Sequence, residues 1–348
     1  MGAAGHPGAI VLFGSGENAD VGREALRWLR ASGRRPRHVA VLETPAGFEP
    51  NAEDVAARWG RFLAQQAESE GAAFTQIAAR ARGTPHSPDA PDVVRPLLGA
   101  DLFVLGAGSP TYAARQLRGS LAWEHVRAGH VLGASLFLAS AAAIAAGTRA
   151  LPVYEIYKVG EDLHWTDGLA LLELYGLRLA VVTHWDNTDG GAGLDTSRCF
   201  MGEERFARLR ALLPADVSVL GIAEHTALAL EPARGEADVL GRGCVTLLRD
   251  GNARTWETGD RLALRELGAF ALPRADAVPS DVRGRIEAAR SADEARRPPR
   301  EVDEIVAARA KARAARDWQT ADRLRAEIEE RGWTVEDTAS GTRLLARR

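Results

Sequence analysis

Residues 129–147 read GHVLGASLFLASAAAIAAG, and the point where this run changes character decides the fold. From Val131 to Leu138 it is bulky and apolar, as a strand covered on both faces must be. From Ala141 to Ala146 it is alanine around a single Ile144, which favours helix. A strand over 131–140 therefore turns directly into a helix at Ser140, with only small residues at the corner. A serine there either packs or reacts. Taken alone, an Ala-Ser-Ala corner is a packing feature, so its company has to decide.

The chain has 348 residues, too long for one average domain, and 46% of them are hydrophobic, enough for a full core. Its net charge of −3 gives no global field toward nucleic acid or an anionic membrane. Lysine occurs only at 158 and 311 amid abundant arginine and alanine, a coding bias and not chemistry. Cys199 and Cys244 stand apart from any CxxC or Cys/His cluster, which argues against a disulfide framework or structural zinc and points to a reducing, cytoplasmic setting. A strand-like AIVLFG begins within ten residues of the start, so no secretory leader is expected, and no apolar run reaches membrane-spanning length.

Up to about residue 250, short β-rich runs alternate with amphipathic helical stretches. AIVLFG (9–14), HVAVLET (38–44), LFVLGA (102–107), LAVVTH (179–184), VSVLGIAE (217–224) and CVTLLRD (244–250) join the 131–140 run as strands. This predicts an α/β fold, a doubly wound and mostly parallel sheet, with chemistry at the carboxyl ends of its strands. The odd residues gather there: GSGE after the first strand, GAGSPT after 102–107, ASAAA, HWDN and AEHT. From Pro273 the chain becomes charged and proline-bearing, so residues 1–272 read as one domain and 273–299 as a linker holding a short helix. Residues 300–348 read as a small module of two helices and a hairpin, with Asp317 as N-cap and Gly332 as helix stop.

Serine hydrolysis needs a hydroxyl at a tight turn, a histidine to take its proton, an acid to orient the histidine, and backbone donors for the oxyanion. Ser140 supplies the first, and a helix start at Ala141 supplies a donor. His184 ends an apolar strand, an odd place for a packing histidine. For the acid, Glu155, Glu161 and Asp162 all lie between Ser140 and His184, and Glu155 is preferred because Tyr154 and Tyr157 flank it. The loop Gly106–Ala107–Gly108 lets backbone approach a ligand closely, yet lacks the lysine of a P-loop and the full spacing of a dinucleotide site, so an oxyanion role fits it better.

Taken in order, LFGSGE, VLGAGSPT, ASAAAIAAG, VVTHWDN and LGIAEHTALAL resemble the peptidase E and cyanophycinase family of serine hydrolases, over about residues 8–250. The resemblance implies the fold of class I glutamine amidotransferases, with Ser140 as nucleophile, His184 as base, Glu155 as the best-matched acid, and oxyanion donors from Gly106, Ala107, Gly108 and Ala141. It also implies a small peptide or amide substrate, especially one with acidic residues at the cleaved bond, which Lys158, Arg198 and Arg205 would anchor. Glu224 and His225 would be structural or substrate-side groups. Two departures stand out: Ala142 replaces the family's glycine, and Ala139 precedes the serine where the family has a glycine shortly before it. Ser135 in GAS is a rival serine, though the strand continues past it. Glutamine amidotransferases themselves carry a cysteine at the corner, and position 140 has none.

Residues 300–345, through ARDWQTADRLR and GWTVEDTASGTR, resemble the C-terminal module of cysteinyl-tRNA synthetases, which implies a tRNA role. The eleven basic and ten acidic residues from Arg300 to Arg348 leave little net field for phosphates, so a docking or dimerisation module stands beside it. The reading is thus an amide hydrolase with no cofactor, metal or membrane, tRNA and a second copy of the chain being its macromolecular partners to test. The alternative is an inactive hydrolase fold that binds a ligand or tRNA.

Overall fold

Alternation along the first strand, β1 (Ile10–Phe13), gives the sheet two cores. Ile10 and Leu12 enter one apolar cluster and Val11 and Phe13 the other, as a two-residue side-chain period dictates for a strand covered on both faces. The computed structural model describes residues 6–66, 72–294, 299–338 and 341–346. The chain divides into two compact units, Met1–Ile286 and Glu287–Arg348.

The remaining strands of the first unit begin with β2 (His38–Leu42), β3 (Ala73–Ile77), β4 (Leu102–Leu105), β5 (Ser135–Ala139), β6 (Arg149–Ala150), β7 (Thr166–Asp167) and β8 (Leu179–Val182). They continue with β9 (Ser218–Ile222), β10 (Thr226–Glu231), β11 (Glu236–Gly241), β12 (Cys244–Arg249), β13 (Asn252–Glu257) and β14 (Arg261–Ala263). One sheet runs β14-β11-β10-β1-β5-β4-β2-β3, the other β13-β12-β9-β8-β6-β7. Their centres are parallel: β1 with β5, β5 with β4, β4 with β2, β2 with β3, and β8 with both β6 and β9. Around them β10 to β14 add antiparallel strands, and the short turns joining β10 to β11 and β12 to β13 permit no other direction for those two pairs. Helices cover both faces, among them Asp20–Ala31, which buries Val21, Ala25, Leu26 and Leu29, and Leu121–Val131 opposite.

The expected strand over 131–140 is shorter at both ends. The helix runs on to Val131, Gly133 turns the chain at φ +104°, and pairing begins at Ser135. Ser135 is buried inside β5 opposite Leu102, away from the corner. The 273–299 segment carries a fifteen-residue helix, Ser280–Glu294, and Val278, Val282 and Ile286 pack with Ala128 and Val131. Residues 295–298 of that segment lie outside the described residues.

Four backbone bonds draw the strand ends together. Ser140 N donates to Phe13 O at 3.1 Å, Gly14 N to Thr226 O at 2.9 Å, His184 N to Gly14 O at 3.3 Å, and Trp185 N to Ile222 O at 3.1 Å. Gly14 is the hub, and a β-carbon on it would stand 2.0 Å from Ala223 O. Gly14→Ala must therefore part the first strand from the β9–β10 corner, costing about 1–3 kcal/mol as other overpacked cores do. A Tm lowered by several degrees is the expected outcome of thermal unfolding, and an unchanged Tm contradicts this account of the hub.

In the second unit, helices Arg300–Ala314 and Trp318–Glu330 precede the hairpin β15 (Trp333–Thr338) and β16 (Gly341–Ala346). The expected hairpin is present, although Ala339 and Ser340 at its tip lie outside the described residues. Val302, Ile328 and Val335 form its core. Asp317 caps the second helix by accepting from Thr320 N at 3.0 Å. Arg309, only 3% exposed, holds Asp337 with two bonds of 2.9 and 2.8 Å. That guanidinium keeps the Asp337 carboxyl well below its ordinary range.

Candidate active site

Ser140 stands where β5 ends and the helix Ala141–Ala145 begins, at φ +49°, ψ −111°. A residue with a β-carbon enters this region only when its surroundings force it, at about 1–3 kcal/mol, and such strain gathers at working sites. Here β5, locked between β1 and β4, and the buried Ala141, Ala142 and Ala143 do the forcing. Ala142 has an ordinary helical backbone, is buried in the core and does not line the cleft.

His184 also carries a positive φ, +50°, just after β8. Its Nε2 lies 2.9 Å from Ser140 Oγ. Its Nδ1 lies 3.0 Å from Glu224 Oε1, on the turn between β9 and β10. Asn187, 2% exposed, donates from Nδ2 to that same oxygen at 2.9 Å, and Asp186 Oδ1 accepts from Glu224 N at 2.7 Å. The hydrogen bond from His184 holds the Glu224 carboxyl down at about 2, aided by Asn187 and opposed by partial burial.

The carboxylate bonded to the imidazole is thus Glu224 and not the Glu155 expected from the sequence. Glu155 makes no hydrogen bond to His184, and its Oε2 is buried without a hydrogen-bond partner. Glu161 and Asp162 are exposed, and Glu161 lies 3.8 Å from His164. The reason is sheet order: β8 pairs with β9, so the loop after β9 faces the loop after β8, whatever lies between Ser140 and His184 in sequence. WDN was the available signal, since Asp186 and Asn187 are both spent on Glu224.

A cleft of about 350 Å³ opens over the pair, with Ser140, His184, Gly108 and Ala141 in its wall. Gly106 and Ala107 are not in that wall and line a separate small void beside Trp59. Gly108, at φ +147°, lies against the 44–46 turn so closely that a β-carbon would meet Pro45 O at 1.9 Å. Of the residues expected to anchor substrate, Lys158 lines the cleft while Arg198 and Arg205 bond their own chain. Glu224, read from the sequence as a structural or substrate-side group, bonds the imidazole of His184. Cys199 also lines the cleft, but burial pushes its thiol up to about 12, so it stays protonated at neutral pH. A hydroxyl bonded to an imidazole that is bonded to an ionised carboxylate is an arrangement able to activate a serine for acyl transfer.

Residues 295–343 match the family of the cysteinyl-tRNA ligase anticodon binding domain. The cysteine–tRNA ligase of Rubrobacter xylanophilus is 54% identical over 50 residues, 14% of this chain and 10% of the ligase. That of Pediococcus pentosaceus is 54% identical over 43 residues, 12% of this chain and 9% of the ligase. The chain thus spans about a tenth of the length of these curated relatives. A crystal structure of a peptidase from an acI-B1 actinobacterium aligns with a TM-score of 0.58 at 22% identity, over 75% of this chain and 98% of that one. The fold is shared with that peptidase. Among the described residues no helix is long and apolar enough to cross a membrane.

Proposed function

We propose that this chain is a serine hydrolase that cleaves an amide bond through an acyl-enzyme. Ser140 Oγ attacks the carbonyl carbon while His184 Nε2 takes its proton, and Glu224 holds the imidazole in the tautomer that accepts it. The backbone N–H groups of Gly108 and Ala141 are the donors proposed for the oxyanion, Ala141 because the first N–H of a helix has no acceptor within it. The C–N bond then breaks and His184 returns the proton to the leaving amine. Water, deprotonated by the same imidazole, releases the acid. The observation that carries this reading is the continuous pair of bonds Ser140–His184–Glu224, 2.9 and 3.0 Å, at a strained corner that opens on the cleft. Its test is cleavage of a mixed short-peptide pool, read by mass spectrometry for wild type and Ser140→Ala. Cleavage by the wild type alone supports it, and equal cleavage by both contradicts it.

Asn187 is proposed as a positioning residue for the acid. It binds Glu224 through Nδ2, while its Oδ1 accepts from Asp189 N at 3.1 Å. Asn187→Leu is expected to lower kcat about tenfold or more, the range lost elsewhere when a hydrogen bond that orients a working group is removed, with KM little changed. Asn187→Asp, which loses the donor, should fare no better. An unchanged kcat in the leucine variant contradicts the assignment.

For the second unit, the match at residues 295–343 favours tRNA binding. With charge so nearly balanced there, contacts of shape and hydrogen bonding would have to supply what phosphate attraction does not. Retardation of bulk tRNA by the full chain, lost when residues 287–348 are removed, supports this. Retention of binding by the shortened chain contradicts it.

A further inference from the structure

Two arginines that the sequence offers as carboxylate anchors serve the chain itself. Arg198 donates to Trp185 O at 2.8 Å, pairs with Glu203, and lies 4.0 Å over the Trp185 ring. Arg205 donates to Met201 O and Phe200 O at 2.7 and 2.9 Å. Neither lines the cleft. Besides the Ser140–His184 pair, the ionisable residues in its wall are Cys199, which stays neutral, two tyrosines, and the oppositely charged Lys158 and Asp189, so the charges of the wall itself cancel. The Lys158 ammonium stands 4.9 Å from the centre of the Tyr157 ring.

Much of the remaining wall is aromatic and aliphatic carbon. Tyr154, Tyr157 and Phe200 face it with Val153 and Ile144. The Tyr157 and Phe200 rings are 5.3 Å apart, and Phe200 is 6.1 Å from the His184 ring. Tyr154 is left 42% exposed beside the reacting pair, an aromatic surface that gains most when another apolar group covers it.

Resting on the serine-hydrolase reading, we infer that the cleft takes amides bearing a large apolar, above all aromatic, side chain next to the cleaved bond, and that Tyr154 determines this preference. A carboxylate entering the same space leaves water for ring carbon, with the single Lys158 ammonium in the wall to receive it and the Arg205 guanidinium, 6.0 Å from the Tyr157 ring, already bonded to Met201 O and Phe200 O. This departs from the acidic substrates that the resemblance implies.

The test uses the full chain and matched short peptides carrying Phe, Ala or Asp on either side of one amide bond. Labelling by a fluorophosphonate probe reports separately whether Ser140 is competent. We expect kcat/KM for Phe to exceed that for Asp by about tenfold or more on at least one side, and Tyr154→Ala to shrink the Phe-over-Ala ratio about tenfold, the scale set by one well-filled apolar subsite. Asp peptides cleaved as fast as Phe peptides on both sides overturn the inference, as does a Tyr154→Ala ratio equal to that of the wild type. A labelled enzyme that cleaves none of the peptides overturns the inference and leaves the hydrolase reading standing. An enzyme neither labelled nor active overturns the hydrolase reading and the inference with it.

Discussion

Ser140→Gly is expected to yield a protein more stable than the wild type and almost without activity. At φ +49°, ψ −111° the β-carbon of Ser140 is the source of strain, and only glycine enters that region freely. Removing the β-carbon relieves part of about 1–3 kcal/mol, offset by about 0.5–1 kcal/mol from the greater freedom of glycine in the unfolded chain. The net expectation is a small rise in Tm. Activity should fall about 10⁵–10⁶-fold, since a lost nucleophile leaves only binding and oxyanion stabilisation. Ser140→Ala keeps the β-carbon, so it should be equally inactive without the gain in Tm. Thermal unfolding of the three proteins decides the matter: a glycine variant less stable than the alanine variant would mean that the corner is not strained.

The second large effect belongs to Glu224. Glu224→Gln should lower kcat about 10²–10⁴-fold, because an amide no longer fixes the imidazole tautomer or balances its charge as the proton arrives. Glu155→Gln should change kcat by less than about threefold, as its carboxylate does not touch His184. Equal losses in the two variants would return the acid's role to open question. The same carboxylate sets an acid limit on stability. Its pKa falls from 4.5 to about 2 on folding, so its contribution is fully present above pH 4.5 and fades as pH drops toward 2. Denaturant midpoints followed from pH 6 to 2 should fall more steeply for the wild type than for Glu224→Gln, and parallel curves would contradict the link.

Much of this was legible from residue order. The bulky-to-small switch in GHVLGASLFLASAAAIAAG located the corner, and the apolar run ending in VVTH located the imidazole, because strand composition and chain direction fix where a parallel strand delivers its last residue. Glu224 was not legible as the imidazole's partner, since its place depends on β9 lying beside β8, a pairing of strands that no local pattern encodes. The edge strand β3, AFTQI, was missed for another reason: Ala73, Thr75 and Gln76 are exposed, and its polar texture hides it among loops. Arg198 and Arg205 looked like substrate anchors because charge is visible in a sequence while its partners are not. In the fold their guanidiniums bond carbonyls of Trp185, Met201 and Phe200.

The hydroxyl of Ser140, at the exit of β5, is proposed as the reactive group of the chain. Incubation with a fluorophosphonate, followed by digestion and mass spectrometry of the modified peptide, examines this directly. The adduct is predicted on Ser140 alone, formed by the wild type and lost in His184→Ala. An adduct on another residue, or none at all on a folded protein, would contradict it.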